Sequence, residues 1–256
     1  MSRLLKSDFK RLFQASYFYL TIMVSALIGF LITLLLEKTP KEDINIPPGM
    51  EDMLGNMMGI RVEPSFGSII IPFAAAVIVG MFLEAEFTQG AIRNKIICGH
   101  NRNHIFFASL LTLIVGVFCC FAVCELAIIG SSVFIFGNDS PALDAALYST
   151  GIMFLMITAM STILSFTIGS FFHGGKLIAI LLAVQYVMEI SIFFAMYSNR
   201  SKILEYLSRV FPQSSIFQFN YFERPDKLWI NALISAVAAL IFIIFGLLKF
   251  RKCDIR

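Results

Sequence analysis

Six long apolar runs separated by polar stretches set the pattern of this chain: Tyr17–Leu36, Gly67–Leu83, Ile105–Phe136, Ala145–Phe172, Leu177–Tyr197 and Leu228–Leu248. About 20 mostly apolar residues carry an α-helix across the hydrocarbon of a bilayer, so each run predicts a transmembrane helix. The third and fourth exceed one membrane thickness, which predicts tilt or extension beyond the lipid. The first is too long for a typical signal-peptide core and lacks a small-residue cleavage site, so it predicts a retained anchor. The expected fold class is all-α integral membrane: one transmembrane domain over residues 1–256, with a six-span bundle over 17–248.

The stretches between and before the runs carry their own patterns. Over Ser2–Gln14, Leu4, Leu5, Phe9, Leu12 and Phe13 fall on one face, with Arg3, Lys6, Lys10 and Arg11 elsewhere. That spacing predicts an amphipathic interfacial helix over residues 1–16, leading into the membrane. Glu84–His104 is a polar island between the second and third runs, longer than a turn requires. Its apolar members Phe87, Ala91, Ile92, Ile96 and Ile97 recur at roughly helical spacing, which predicts a helix lying flat at the membrane surface with one face free for a partner. Glu37–Phe66, acidic and holding Pro40, Pro47, Pro48 and Pro64, predicts a loop with little helix. Residues 198–227 combine a short amphipathic stretch, closed by Pro212, with an aromatic return, and predict a cap over the outer mouth.

Composition agrees with the pattern. The chain is 58% hydrophobic and 14% charged with a mean hydropathy of +0.81, too few charges to cover a soluble domain. The net charge of +3 does not point to nucleic acid. An even number of spans puts both termini on one side, together with Arg3, Lys6, Lys10, Arg11, Arg93, Lys95, Arg102, Lys176, Lys249, Arg251, Lys252 and Arg256. The opposite loops spread Lys38, Lys41, Arg61, Arg200, Lys202, Arg209, Arg224 and Lys227 over a greater length. The positive-inside rule therefore places both termini and the island in the cytosol of a multi-pass protein of the cell membrane.

The chemistry carried by single residues is sparse. Cys98, Cys119, Cys120, Cys124 and Cys253 avoid the predicted outer loops, which argues against a disulfide framework. Cys119, Cys120 and Cys124 read as small packing residues, with a metal site disfavoured for want of a fourth ligand. His100 and His104 have i, i+4 spacing without a carboxylate between them, so no metal is expected. No phosphate-binding Gly-x-x-x-x-Gly-Lys-Ser/Thr sequence and no Gly-x-Ser-x-Gly sequence occurs, and no catalytic residue is expected.

Two acids lie within apolar runs, Glu125 and Glu189. A charge at mid-bilayer costs roughly 2.5–3.5 kcal/mol on insertion scales, so such residues face protein or a watery path. Gln185 precedes Glu189 by one helical turn. These three residues are candidates for a translocation path, or for interhelical hydrogen bonding. Ser25, Gly29 and Thr33 recur every four residues of the first run and predict a helix-packing or dimer face.

Glu86, Gly90, Ile92-Arg93-Asn94, Gly99 and Arg102, ahead of the span starting at Ile105, resemble the cytosolic stretch of ABC-2 type ABC-transporter permeases. Those proteins often carry a Glu, then Gly-Thr-Ile-Arg-Asn, then a Ser-Arg pair entering the third helix. Ala91 stands where Thr is common, and Asn101 precedes Arg102 where Ser is common. The motif covers a short stretch, while the six-span plan agrees over nearly the whole chain. The resemblance implies that 84–104 is a coupling segment seated on a separate ABC ATP-binding subunit, with Glu86, Gly90, Arg93, Asn94, Gly99 and Arg102 at or near the joint. On that view Gly90 allows close backbone approach and Gly99 ends the coupling helix, while Lys95 is ordinary positive-inside charge.

The resemblance further implies two ATP-binding subunits and a second permease subunit, as homodimer or heterodimer, in a bacterial membrane. ATP and Mg belong to the partner, with no cofactor in this chain. The cargo implied is an amphipathic peptide or hydrophobic drug, moved outward. A stand-alone ion-coupled transporter or channel using Glu125 and Glu189 is the alternative.

Overall fold

The computed structural model describes residues 1–37, 63–136, 143–172, 176–196 and 228–252. Regular structure among them is helical, with no strand: α1 (Ser2–Gln14), α2 (Ser16–Glu37), α3 (Glu63–Thr88), α4 (Ala91–Ile97), α5 (Arg102–Phe136), α6 (Leu143–Gly169), α7 (Leu177–Met196) and α8 (Leu228–Lys252). The predicted loop 37–66 and outer cap 198–227 fall outside the described residues, apart from the start of α3 and the end of α2.

Each long helix follows an apolar run, and α2, α3, α5 and α8 extend past theirs into polar sequence, because a helix satisfies its own backbone groups in lipid and continues until a cap or turn ends it. Ile70–Thr88, Arg102–Ala127 and Ala232–Lys252 are long and apolar enough to cross a membrane. A fourth candidate arises if α1 and Ser16–Leu31 count as one span broken by a 60° bend. Leu155–Gly169 and Leu177–Tyr186 are shorter apolar segments. The bend sits at Ala15, whose extended backbone (ψ 125°) separates two helical runs.

α3 occupies the centre of the bundle, touching α2, α5, α6 and α7. Its middle is built from small residues, Ala74, Ala75, Ala76 and Gly80, which let neighbouring backbones come close. α8 lies at the periphery, and its Leu233, Leu240, Ile244 and Phe245 are exposed. What ties α8 in is an aromatic knot: buried Phe106 of α5 meets Phe166 of α6 and Phe250 of α8 edge-on, with ring centroids 5.0 and 5.7 Å away. Thr167 adds a hydroxyl donated to the Phe242 carbonyl at 3.0 Å.

α1 lays part of its apolar face on protein. It packs on α5, and Leu4 and Leu12 are buried in the protein core. Leu12 leans over Gly116, where a Cβ would stand 2.5 Å from the leucine methyl. An apolar row of this kind buries equally well against protein or lipid, and here a helix with a bare position accepts it.

Candidate functional site

The polar island is not one helix. Glu84–Thr88 continues α3, a turn at Gln89-Gly90 follows, and only the seven residues Ala91–Ile97 form the separate helix α4. Gly90 has φ 65° and Gly99 φ 81°, in the left-handed region that L side chains avoid. Nothing lies within 4 Å of a Cβ placed on Gly90, so the turn, and not a close approach within this chain, calls for glycine there. At the far end the Gly99 N–H donates to the Ile96 carbonyl at 2.9 Å and the His100 N–H to the Lys95 carbonyl at 3.2 Å. These paired bonds are the Schellman arrangement that closes a helix. Asn101 then caps α5, its side-chain oxygen accepting from the Asn103 N–H at 3.2 Å. Asn and Ser serve this position alike, so Asn101 preserves the chemistry of the residue it replaces in the resembled pattern.

A buried ionic cluster holds this segment to α1. Lys95 Nζ lies 2.6 Å from Asp8 Oδ1 and 2.9 Å from Glu86 Oε2. Arg11 binds the other oxygen of Glu86 and donates to Gln89 Oε1 at 3.1 Å. Ser109 of α5 donates to Asp8 Oδ2 at 3.3 Å. Asp8 is 0% exposed and Glu86 1%, so four helices converge on two desolvated carboxylates and two cations that balance them. Buried charges of this kind are tolerated only when paired and hydrogen-bonded.

The six residues expected at the joint therefore divide. Glu86 faces inward and serves the cluster. Arg102 donates to the Arg251 carbonyl at 2.8 Å, and Arg251 Nε donates to Asn103 Oδ1 at 2.8 Å, so Arg102 ties α5 to the end of α8. Arg93, Asn94 and Gly99 are exposed, Gly90 is half-buried, and Ile97 is exposed to 71%. Ile92, by contrast, is buried in the core.

Lys95 and Asp8 are the functional residues that sequence reasoning passed over. Lys95 counted only as positive-inside charge. Asp8 sits one helical turn from both Leu4 and Leu12, an acid in the middle of an apolar row on a basic helix. That placement was the available signal, since an acid on a buried row requires a cation.

The other candidates lie elsewhere. Ser25 and Gly29 are buried, and Ser25 meets Cys120 Sγ at 3.7 Å through its hydroxyl and Cys124 Sγ at 3.5 Å through its carbonyl. The side chains of Thr33 and Glu189 lie outside the described residues. Glu125 Oε1 and Gln185 Oε1 are buried without a hydrogen-bond partner among the described residues. Among the described residues no three of His, Cys, Asp and Glu gather into a metal-binding group.

Gly99→Ala is expected to loosen the end of α4, because a left-handed alanine costs roughly 1–2 kcal/mol. Faster amide hydrogen exchange at Cys98–His100, with α5 unchanged, is the measurement that checks it.

No curated protein and no solved structure matches this chain. Residues 43–256 match a family described as protein of unknown function (DUF2705). The matched stretch contains Glu86, Lys95 and Ser109, while Asp8 and Arg11 precede it. A match over most of the chain makes this membership plain: the protein belongs to the DUF2705 family.

Proposed function

We propose that this chain is the transmembrane permease subunit of an ATP-driven exporter. It crosses the membrane six times with both termini and the island in the cytosol, pairs with a second permease subunit, and engages two ATP-binding subunits. The cargo is an amphipathic peptide or a hydrophobic drug. One observation carries the reading: α4 is fixed on its inner side by Lys95, bound to two buried carboxylates, while Arg93, Asn94 and Ile97 are exposed. A part that transmits motion from a partner must be stiff toward its own bundle and open toward that partner. Ile97, one helical turn from Arg93 and Asn94, adds apolar area to that face.

The test is co-expression with ATP-binding subunits encoded beside this chain, followed by purification through a tag on the permease. The expected result is co-purification, weakened by about tenfold or more when Arg93→Glu and Ile97→Asp are combined, the size of a hot-spot loss. Recovery of the same ATPase by both forms would remove α4 as the joint. The ion-coupled alternative draws on Glu125, whose buried Oε1 has no hydrogen-bond partner among the described residues. It requires cargo movement without any ATPase and loss of that movement in Glu125→Gln.

A further inference from the structure

One face of α6 is polar although it is buried. Thr158, Ser161, Thr162 and Ser165, at helical i, i+3, i+4 and i+7 spacing, are all within 2% of full burial. Gln185 of α7, itself 0% exposed, lies against Ser161 and Ser165. Its amide nitrogen donates to the Ser161 carbonyl at 3.2 Å and to Ser165 Oγ at 2.7 Å. Both amide hydrogens are thereby used, and Oε1 is left buried with no partner among the described residues.

The hydrogens of this seam are largely committed. Thr162 donates to the Thr158 carbonyl at 2.6 Å and Thr158 to the Leu155 carbonyl at 2.9 Å. A hydroxyl has one hydrogen and two lone pairs, so Thr162, its hydrogen spent on the Thr158 carbonyl, can only accept. A buried carbonyl oxygen without a partner is costly, and the cost is offset only by a group that brings hydrogens or positive charge. An acceptor, an anion or an apolar group would leave Oε1 as it is. The seam lies well inside the bundle: Gln185 is eight residues from the start of α7 at Leu177, roughly 12 Å along a helix.

We infer that the α6–α7 seam is a binding site for a small monovalent cation, centred on Gln185 Oε1 with the Ser165 hydroxyl oxygen next to the same amide. An alkali ion and a primary ammonium group share the required chemistry, since both present positive charge and no lone pair. Neutral oxygens replace hydration in such sites. The inference needs nothing from the ATPase reading, because it concerns what the seam holds and not what moves it.

The test uses the full-length protein in lipid nanodiscs. Thermal unfolding is followed as N-methyl-D-glucamine chloride is exchanged, at constant ionic strength, for NaCl, KCl or methylammonium chloride. A saturable rise in Tm with a small cation is expected, absent in Gln185→Leu and displaced to about tenfold higher concentration in Ser165→Ala, the effect of roughly 1.4 kcal/mol lost from a site. Saturation by Na+ or K+ alone identifies a metal ion, and saturation by methylammonium alone identifies an amine. Should Gln185→Leu fail to fold, Ser165→Ala decides. A Tm equal in all four salts, with Oε1 capped by water, overturns the inference, as does a rise that both variants retain. Co-purification of an ATPase is unaffected by either outcome.

Discussion

Lys95→Met should be the most damaging single substitution in the region where α1, α3, α4 and α5 converge. The lysine binds Asp8 and Glu86 at 2.6 and 2.9 Å, and both carboxylates are buried. Removing the cation leaves Asp8 with only the Ser109 hydroxyl, at 3.3 Å, and leaves Glu86 to Arg11. Breaking a buried pair from one side costs about 3–5 kcal/mol, because the stranded charge keeps its desolvation penalty. The loss should appear as a lower unfolding midpoint of the purified protein and as proteolytic release of α1.

Charge balance makes the prediction sharper. Asp8→Asn combined with Lys95→Met removes one charge of each sign and keeps the Arg11–Glu86 pair, while the asparagine can still accept from Ser109. The double variant should therefore be more stable than Lys95→Met alone, with a coupling energy of about 0.5–3 kcal/mol. Additive losses, or a Lys95→Met protein within about 0.5 kcal/mol of the parent, would mean that the cluster does not hold α1.

The second large effect is expected at Phe106. Its ring is 1% exposed and joins α5 to α6 and α8 through Phe166 and Phe250. Gly246 of α8 presses close to it, with 3.3 Å between the ring edge and the position of an added Cβ. Phe→Ala in a core costs roughly 3–5 kcal/mol. In a bilayer the transfer part shrinks, since lipid tails are as apolar as the core, and lost packing dominates. Phe106→Ala should consequently detach the end of α8 first, because Phe250 meets the bundle through that ring. Limited proteolysis near Lys249–Lys252 should accelerate while α1 stays protected, and Phe106→Leu should recover part of the loss. Equal proteolysis at both ends would place the weak point elsewhere.

The helices themselves were legible. Long apolar runs leave a backbone in lipid few choices, and the six runs correspond to α2, α3, α5, α6, α7 and α8. Gly99 was legible too, as the end of a helix, because the left-handed turn selects glycine from local sequence alone. Gly90 has a second reason to be glycine, the left-handed turn it makes between α3 and α4. The flat surface helix over the whole island was too long a reading: Glu84–Thr88 has no breaker before Gln89-Gly90 and simply prolongs α3.

What stayed hidden were pairings across long sequence separations. Lys95 and Asp8 are 87 positions apart, and nothing in a lysine's immediate surroundings distinguishes a buried partner from an ordinary cytosolic charge. Gln185 shows the same difficulty in the bundle, where its burial and its two donors depend on how α6 and α7 meet. Leu4, Asp8 and Leu12 contained the one local hint, an acid where the helix row demanded an apolar residue.

Cys98 allows the most direct test of the central claim. It ends α4, its thiol is exposed, and it neighbours Ile97 on the surface proposed to meet the ATPase. With the other four cysteines replaced by alanine, a maleimide-linked photocrosslinker can be placed at Cys98 in membranes that also contain the candidate ATP-binding subunit. The account predicts an adduct with that subunit, in a yield that changes when ATP and Mg2+ are added. Adducts to lipid or to this chain alone, with the ATPase present in the same membranes, would contradict it.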